Sequence, residues 1–285
     1  MLKYFGFIPY LWTIGLSLDF PFWDYCVETA TDCELPLGSQ RFAVGSAYET
    51  GSSEWYLLGG QITDSFFYTA TVAVVNIPST SGSLTGYECS NLYGSNLPQG
   101  ITQSAGSVIN GELYSFGGFT EFNATYYYLD TIFNSDTSTQ SSFSSSLAEM
   151  PYPSSAACVV TVDTKVYIAG GLEDGSITNR VIMYDSAVNT WSELSSMNTA
   201  RFAPGCTYNN GKIYVFGGQT VGGQWGFGDD LNSTEIYDIA SNTWTDSDAQ
   251  LSNNSHWITA TYLNVANRNF SVVMGGSIGY PVTVR

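Results

Sequence analysis

Arg201-Phe-Ala-Pro-Gly-Cys-Thr-Tyr208, Asn209-Asn-Gly211, Lys212-Ile-Tyr-Val-Phe216 and Gly217-Gly218 follow one another without interruption. The first segment reads as a short strand of mostly small residues. The second is a tight turn, where Asn-Gly supplies the positive φ angles that a two-residue hairpin needs. The third alternates and is strongly β-prone. Downstream, Thr234-Glu-Ile-Tyr-Asp-Ile239 reads as a third strand, Ser241-Asn242 as a turn, and Thr243-Trp244-Thr245 as the start of a fourth. Four consecutive antiparallel strands make one meander.

Working outward, the glycine-terminated second strand recurs. It is found as Trp55-Tyr-Leu-Leu-Gly59-Gly60, Leu113-Tyr-Ser-Phe-Gly117-Gly118, Val166-Tyr-Ile-Ala-Gly170-Gly171 and Ser271-Val-Val-Met-Gly275-Gly276. Successive second glycines lie 58, 53, 47 and 58 residues apart. A unit of about 50 residues repeated in this way is the signature of an array of supersecondary modules. Residues 156–194 follow the same order almost term by term. In the second unit the outer strand is predicted in the Ser-rich run Ser138–Ser146, and in the first unit at Tyr87-Glu-Cys89.

The recurring order of strand, Gly-Gly, Tyr-Asp or Tyr-x-Asp, and Trp at the start of the last strand resembles the kelch repeat over about residues 20–285. The resemblance implies an all-β, kelch-type β-propeller of four-stranded antiparallel blades with five repeats. The blades fall at about 41–94, 104–149, 156–194, 201–247 and 256–285, the last completed by 18–35. The N-terminal run Phe22-Trp-Asp-Tyr-Cys-Val-Glu-Thr-Ala-Thr-Asp-Cys-Glu-Leu35 resembles Ile236–Asp246, so this segment is expected to close the ring and remove open sheet edges. A fragment of a six- or seven-bladed ring is the alternative. On that alignment Cys26 and Cys33 face each other across a hairpin and form a candidate disulfide.

The chain of 285 residues carries 25 acidic against eight basic side chains, a net charge of −17, with 44% hydrophobic and only 12% charged residues. Such a field repels phosphate backbones and anionic lipid, which argues against nucleic acid as a partner and against a basic membrane anchor. Lys3, the uncharged apolar run Tyr4–Leu18 and the small residues Gly15 and Ser17 outline a cleaved secretory signal over 1–17. No other stretch has transmembrane length, so no membrane insertion of the mature chain is expected. The setting is then extracellular, the alternative being cytoplasmic. Four N-glycosylation sequons stand at Asn123, Asn232, Asn253 and Asn269, about the number that 18 Asn in a Ser/Thr-rich chain give by chance.

His256 is the single histidine, so a multi-histidine metal centre cannot be assembled, and a Ser-His-Asp arrangement would have to pass through it. It reads as an ordinary turn or strand-end residue. Glu173-Asp174 and Asp229-Asp230 sit in loops between second and third strands, and Asp229, Asp230 and Asn232 form a weak Ca²⁺ candidate without the Ca²⁺-loop pattern. No cofactor is expected. Loops between strands two and three emerge on one face of a meander array. This face collects Phe119, Phe122, Tyr126, Trp225 and Phe227 as candidate binding residues, with Arg41 and Arg201 at the leading turns of their blades. The expected function is a non-catalytic extracellular binding or structural module, presenting this aromatic and acidic face to a protein or glycan. The alternative is a carbohydrate-active propeller enzyme using loop carboxylates.

Overall fold

The computed structural model describes residues 41–42, 45–48, 54–62, 68–76, 88–122, 125–221, 227–265 and 268–275. All regular elements among them are β-strands. Blade one is the antiparallel meander Gly45–Tyr48, Glu54–Leu58, Val72–Asn76, Glu88–Leu92. Blade three is Cys158–Val162, Lys165–Ala169, Val181–Asp185, Thr190–Leu194, and blade four is Gly205–Asn209, Lys212–Phe216, Thr234–Asp238, Thr243–Ser247.

Blade two departs from expectation. Ala105–Ile109, Glu112–Phe116 and Ile132–Asp136 form three strands, and the fourth is reduced to a single bridge between Asn134 and Ser144. The serine run lacks the β-branched and aromatic side chains that hold an outer strand. Blade five contributes Ile258–Val265 paired with Arg268–Gly275. The ring-closing segment 18–35, with Cys26 and Cys33, lies outside the described residues, as do Gly276 and the positions after it. The chain divides into two compact units. One holds residues 128–131 and those from 148 onward, including blades three to five, and the other holds blades one and two.

Each residue type of the repeat has a visible task. The turns Asn110-Gly111 and Asn210-Gly211 carry φ of 51° and 78°, and of 47° and 78°, as the hairpin chemistry requires. The second glycine of a pair donates its N–H to the leading turn of the next blade: Gly60 to Ile101 O (2.7 Å), Gly171 to Arg201 O (2.7 Å) and Gly218 to Ser255 O (2.8 Å). A Cβ on Gly170 would come within 2.7 Å of the Arg201 carbonyl oxygen, and one on Gly217 within 2.5 Å of that of Ser255. The double glycine therefore lets two blade backbones approach.

The third-strand aspartates cap turns. Asp238 accepts from the Ser241 N–H (3.0 Å) and hydroxyl (3.1 Å), which together hold its carboxyl below the ordinary range. Asp136 is held low in the same manner by the Ser138 hydroxyl and N–H and by the Thr139 N–H. Beside Asp238, Tyr237 is buried, and this pushes its phenol up to about 12, so it remains a donor to Asn242 Oδ1 at 2.8 Å.

The fourth-strand motif works as a clamp. Trp244 Nε1 donates to Ser195 O (2.7 Å), while the Ser195 N–H donates to Asn242 Oδ1 (2.9 Å). Trp191 and Asn189 grip Ala148 identically, at 3.0 Å on both sides. Asn-x-Trp thus holds both polar groups of one residue in the chain leaving the preceding blade. Replacing Trp244 by Phe keeps the ring but leaves that carbonyl without its donor. A stability loss of about 1 kcal/mol in chemical denaturation is expected.

Blades three and four share a core of Val160, Tyr167, Val181, Met197, Val215 and Tyr237. Within it Cys158 and Cys206, on the first strands of the two blades, form a disulfide with Cα atoms 5.7 Å apart. Its partners lie 48 residues apart, one blade length, and sequence spacing alone did not pair them.

Candidate functional site

Beyond three of the double glycines the second strand continues into a smaller ribbon. These are Phe119–Phe122 with Thr125–Tyr128, Leu172–Glu173 with Ser176–Ile177, and Gln219–Val221 with Phe227–Asp230. The segments read from sequence as loops are therefore hairpins.

The first ribbon gathers three of the candidate residues. Phe119 is half-buried and held edge-on by Tyr68 (5.3 Å between centroids) and Tyr126 (6.1 Å). Phe122, Tyr126 and Tyr127 are 67%, 60% and 48% exposed. A strand lying on a core buries alternate residues. Here Thr125, Tyr126 and Tyr127 are all exposed, so both faces of this strand meet solvent. Tyr127, which the sequence reading did not include, joins the displayed group. Tyr128, by contrast, packs with Leu172 and Phe202, and burial, with the Asp174 carboxylate adding to it, raises its phenol pKa.

In the second ribbon Glu173 is not an open carboxylate. Arg180 binds it through Nη1 and binds Glu193 through Nη2, with its guanidinium 3.9 Å above the Tyr152 ring. Asp174, at the turn with φ 47°, is exposed. In the third ribbon Phe227 opens the returning strand opposite Val221, while Trp225 lies outside the described residues. Asp229 is exposed. Asp230 accepts from Gln219 Nε2 (3.1 Å) and lies 2.9 Å from His256 Nδ1, both side chains being 15% exposed. His256, read as an ordinary turn residue, is thus in contact with the acidic ribbon. Asn232, the third member of the weak Ca²⁺ candidate, donates to Gln250 Oε1.

Of the two arginines expected at the leading turns, Arg41 starts the short strand Arg41–Phe42 paired with Gln61–Ile62, and its side chain lies outside the described residues. Arg201 is corrected. It is fully buried and is a scaffold residue. Nε and Nη2 donate to Glu235 Oε1 (3.2 and 2.9 Å), Nη1 to Gly217 O and Ser233 O (2.7 and 3.1 Å), and Nη2 also to Ser233 Oγ (2.9 Å). Glu235 further accepts from the Asn198 and Thr199 N–H groups. The signal that could have found the pair is Glu235 itself, a carboxylate near the start of the third strand and away from the turn that Asp238 caps. Of the sequons, Asn253 is exposed and Asn232 half-buried. Asn123 and the Asn269 side chain lie outside the described residues.

The leading turns share one more feature. Gln103, Ala156, Ala203 and Trp257 occupy equivalent positions, all with positive φ (56°, 49°, 48° and 55°). The turns are bonded in series, Ala203 N–H to Ala156 O (3.0 Å) and Trp257 N–H to Ala203 O (2.9 Å). This chain of backbone bonds fixes the left-handed conformation regardless of side chain. Trp257 is 40% exposed and stands edge-on to Phe202 at 5.1 Å.

Comparison with known proteins gives these features a lineage. Residues 45–276 match the Kelch-repeats domain typified by KLHDC2, KLHL20 and DRC7. The chain belongs to the kelch-repeat family. Among its relatives, an F-box/kelch-repeat protein of Arabidopsis thaliana is 38% identical over 106 residues, 35% of this chain and 27% of that protein. Kelch-like protein 23 of Homo sapiens is 31% identical over 151 residues, 52% of this chain and 25% of its own length. The matches thus span about a quarter of these relatives. The solved structure of YjhT superposes with a TM-score of 0.68 at 19% identity, covering 87% of this chain and 81% of that one. The fold is accordingly an all-β, kelch-type β-propeller.

Proposed function

We propose that this kelch propeller is a non-catalytic, extracellular protein-binding module whose principal contact is the ribbon Phe119–Tyr128. The observation that carries the reading is the free-standing display of Phe122, Tyr126 and Tyr127. Exposed aromatics on a rigid support lose little conformational entropy on binding and dominate interface energies. Two further observations favour binding over catalysis. Glu173 is taken up by Arg180, and Asp230 by Gln219 and His256, so neither is disposed as a member of an acid–base pair. The oxidised Cys158–Cys206 pair supports an oxidising compartment.

The test is cross-linking and mass spectrometry to capture the partner, followed by titration of the purified pair. The variant Phe122→Ala/Tyr126→Ala/Tyr127→Ala should bind at least tenfold more weakly, as expected when several hot-spot aromatics are lost. Its melting temperature should stay unchanged, because these rings are exposed. Undiminished affinity of the triple variant would remove the ribbon from the interface.

A further inference from the structure

The unit containing blades three to five carries a second displayed aromatic, of a different kind. A bulky residue at positive φ is an outlier, and the turn imposes this conformation at a position where Ala156 and Ala203 suffice in neighbouring blades. Trp257 is therefore not required by the turn. It is partly exposed, its edge-to-face contact with Phe202 fixes the ring, and it adjoins His256, which reaches Asp230.

The charges of this unit are sorted by end. Lys165, Lys212 and Arg268 each open the second strand of their blade, the end remote from the double glycines. Across strands of five or more residues this is about 13 Å or farther from the ribbons. At the ribbon end, Arg180 is shared between Glu173 and Glu193, and Arg201 is buried on Glu235. Asp174 and Asp229 stand exposed there. Among the described residues of the unit, this end presents carboxylates and an indole with no uncommitted cation.

We propose that Trp257 and the acidic ribbon joined to its neighbour His256 through Asp230 bind an arginine- or lysine-bearing segment of a protein partner, the indole taking the cationic head group and the exposed Asp229 carboxylate supplying opposite charge at the rim. The proposal rests on the protein-binding reading and adds the chemistry of the partner. A cation over a tryptophan face is the strongest of the cation–π pairs, and opposite charge at the rim speeds encounter.

The test titrates the full chain with a fluorescein-labelled Gly-Arg repeat peptide and its Gly-Glu counterpart. The arginine peptide should bind and the glutamate peptide should not, and raising the salt from 0.05 to 0.5 M (about a threefold shorter screening length) should weaken binding. Trp257→Gly is the decisive variant: glycine adopts φ of 55° without strain, which offsets part of the lost contact with Phe202, and a thermal melt establishes that the variant is folded at the assay temperature. Its affinity should fall at least tenfold. Trp257→Phe should retain part of the binding, and Asp229→Asn should lose severalfold and flatten the salt dependence. Equal binding of both peptides, no binding of the arginine peptide, or an unaltered Trp257→Gly variant would each overturn the proposal. A captured partner that still depends on Phe122, Tyr126 and Tyr127 but ignores Trp257 would do so while leaving the protein-binding reading intact.

Discussion

Replacing Arg201 by alanine should lower the unfolding free energy by about 3–5 kcal/mol, the range for breaking a buried ion pair by deleting one partner. Glu235 would remain 1% exposed with a charge and only the Asn198 and Thr199 N–H groups to answer it, while Gly217 O and Ser233 O lose their Nη1 donor. The measurement is urea denaturation of the full chain. Single domains have only about 5–15 kcal/mol in total, so the variant should be marginal at ambient temperature. The mechanism is separated from simple loss of packing by Arg201→Met/Glu235→Leu. With no uncompensated charge left inside, the double variant should recover a large part of the loss. If it is no more stable than Arg201→Ala, the penalty lies in the backbone carbonyls and not in the stranded carboxylate.

Removal of the Cys158–Cys206 disulfide should have a similar effect. A cross-link closing a loop of 48 residues restricts the unfolded chain by an amount worth about 4 kcal/mol. For a chain of this size that corresponds to a fall of about 7 °C in melting temperature. The variant Cys158→Ser/Cys206→Ser should show this drop without reductant. Reductant should bring the native chain down toward the value of the variant under the same reducing conditions. Coincident melting of native and variant chains would show that the bridge adds nothing to stability.

Much of the fold is legible in particular residues. Asn210-Gly211 places a turn, Gly217-Gly218 ends a strand, and Tyr237-Asp238 with Trp244 identifies the outer half of a blade. The turn glycine, Tyr237 and Asp238 are local signals, each resting on a φ angle or a hydrogen bond that its own neighbours complete. Gly218 and Trp244 are completed by Ser255 and Ser195 of adjoining segments, and they are legible because the same contact recurs from blade to blade. Where the motif thins, the structure thins with it. The Ser-rich run after Asp136 keeps only the bridge from Ser144 to Asn134 of the expected outer strand.

The candidate site was legible only in part. The ribbon with Phe119, Phe122 and Tyr126 could be placed because it directly follows a double glycine, which sets its position in the blade. The His256–Asp230 contact and the Trp257 turn could not, because each is defined by backbone or side chains from another segment, and Tyr127 could not, because the solvation of both faces of its strand is a property of the folded ribbon. Arg201 illustrates the difference most clearly. Its position at a leading turn suggested display, and the same position serves equally to turn a guanidinium inward when a carboxylate is waiting on the third strand.

By itself the sequence determined the architecture: an all-β repeat, four strands to a complete blade, with aspartates and tryptophans doing the same tasks in blades three and four. The tertiary structure decided which of the described charges are scaffold and which are surface, and that Cys158 meets Cys206. The physical reason lies in range. Turn geometry and strand propensity act between residues a few positions apart, whereas burial of Arg201 on Glu235 and the approach of Cys158 to Cys206 arise only when segments separated by most of a blade are packed together.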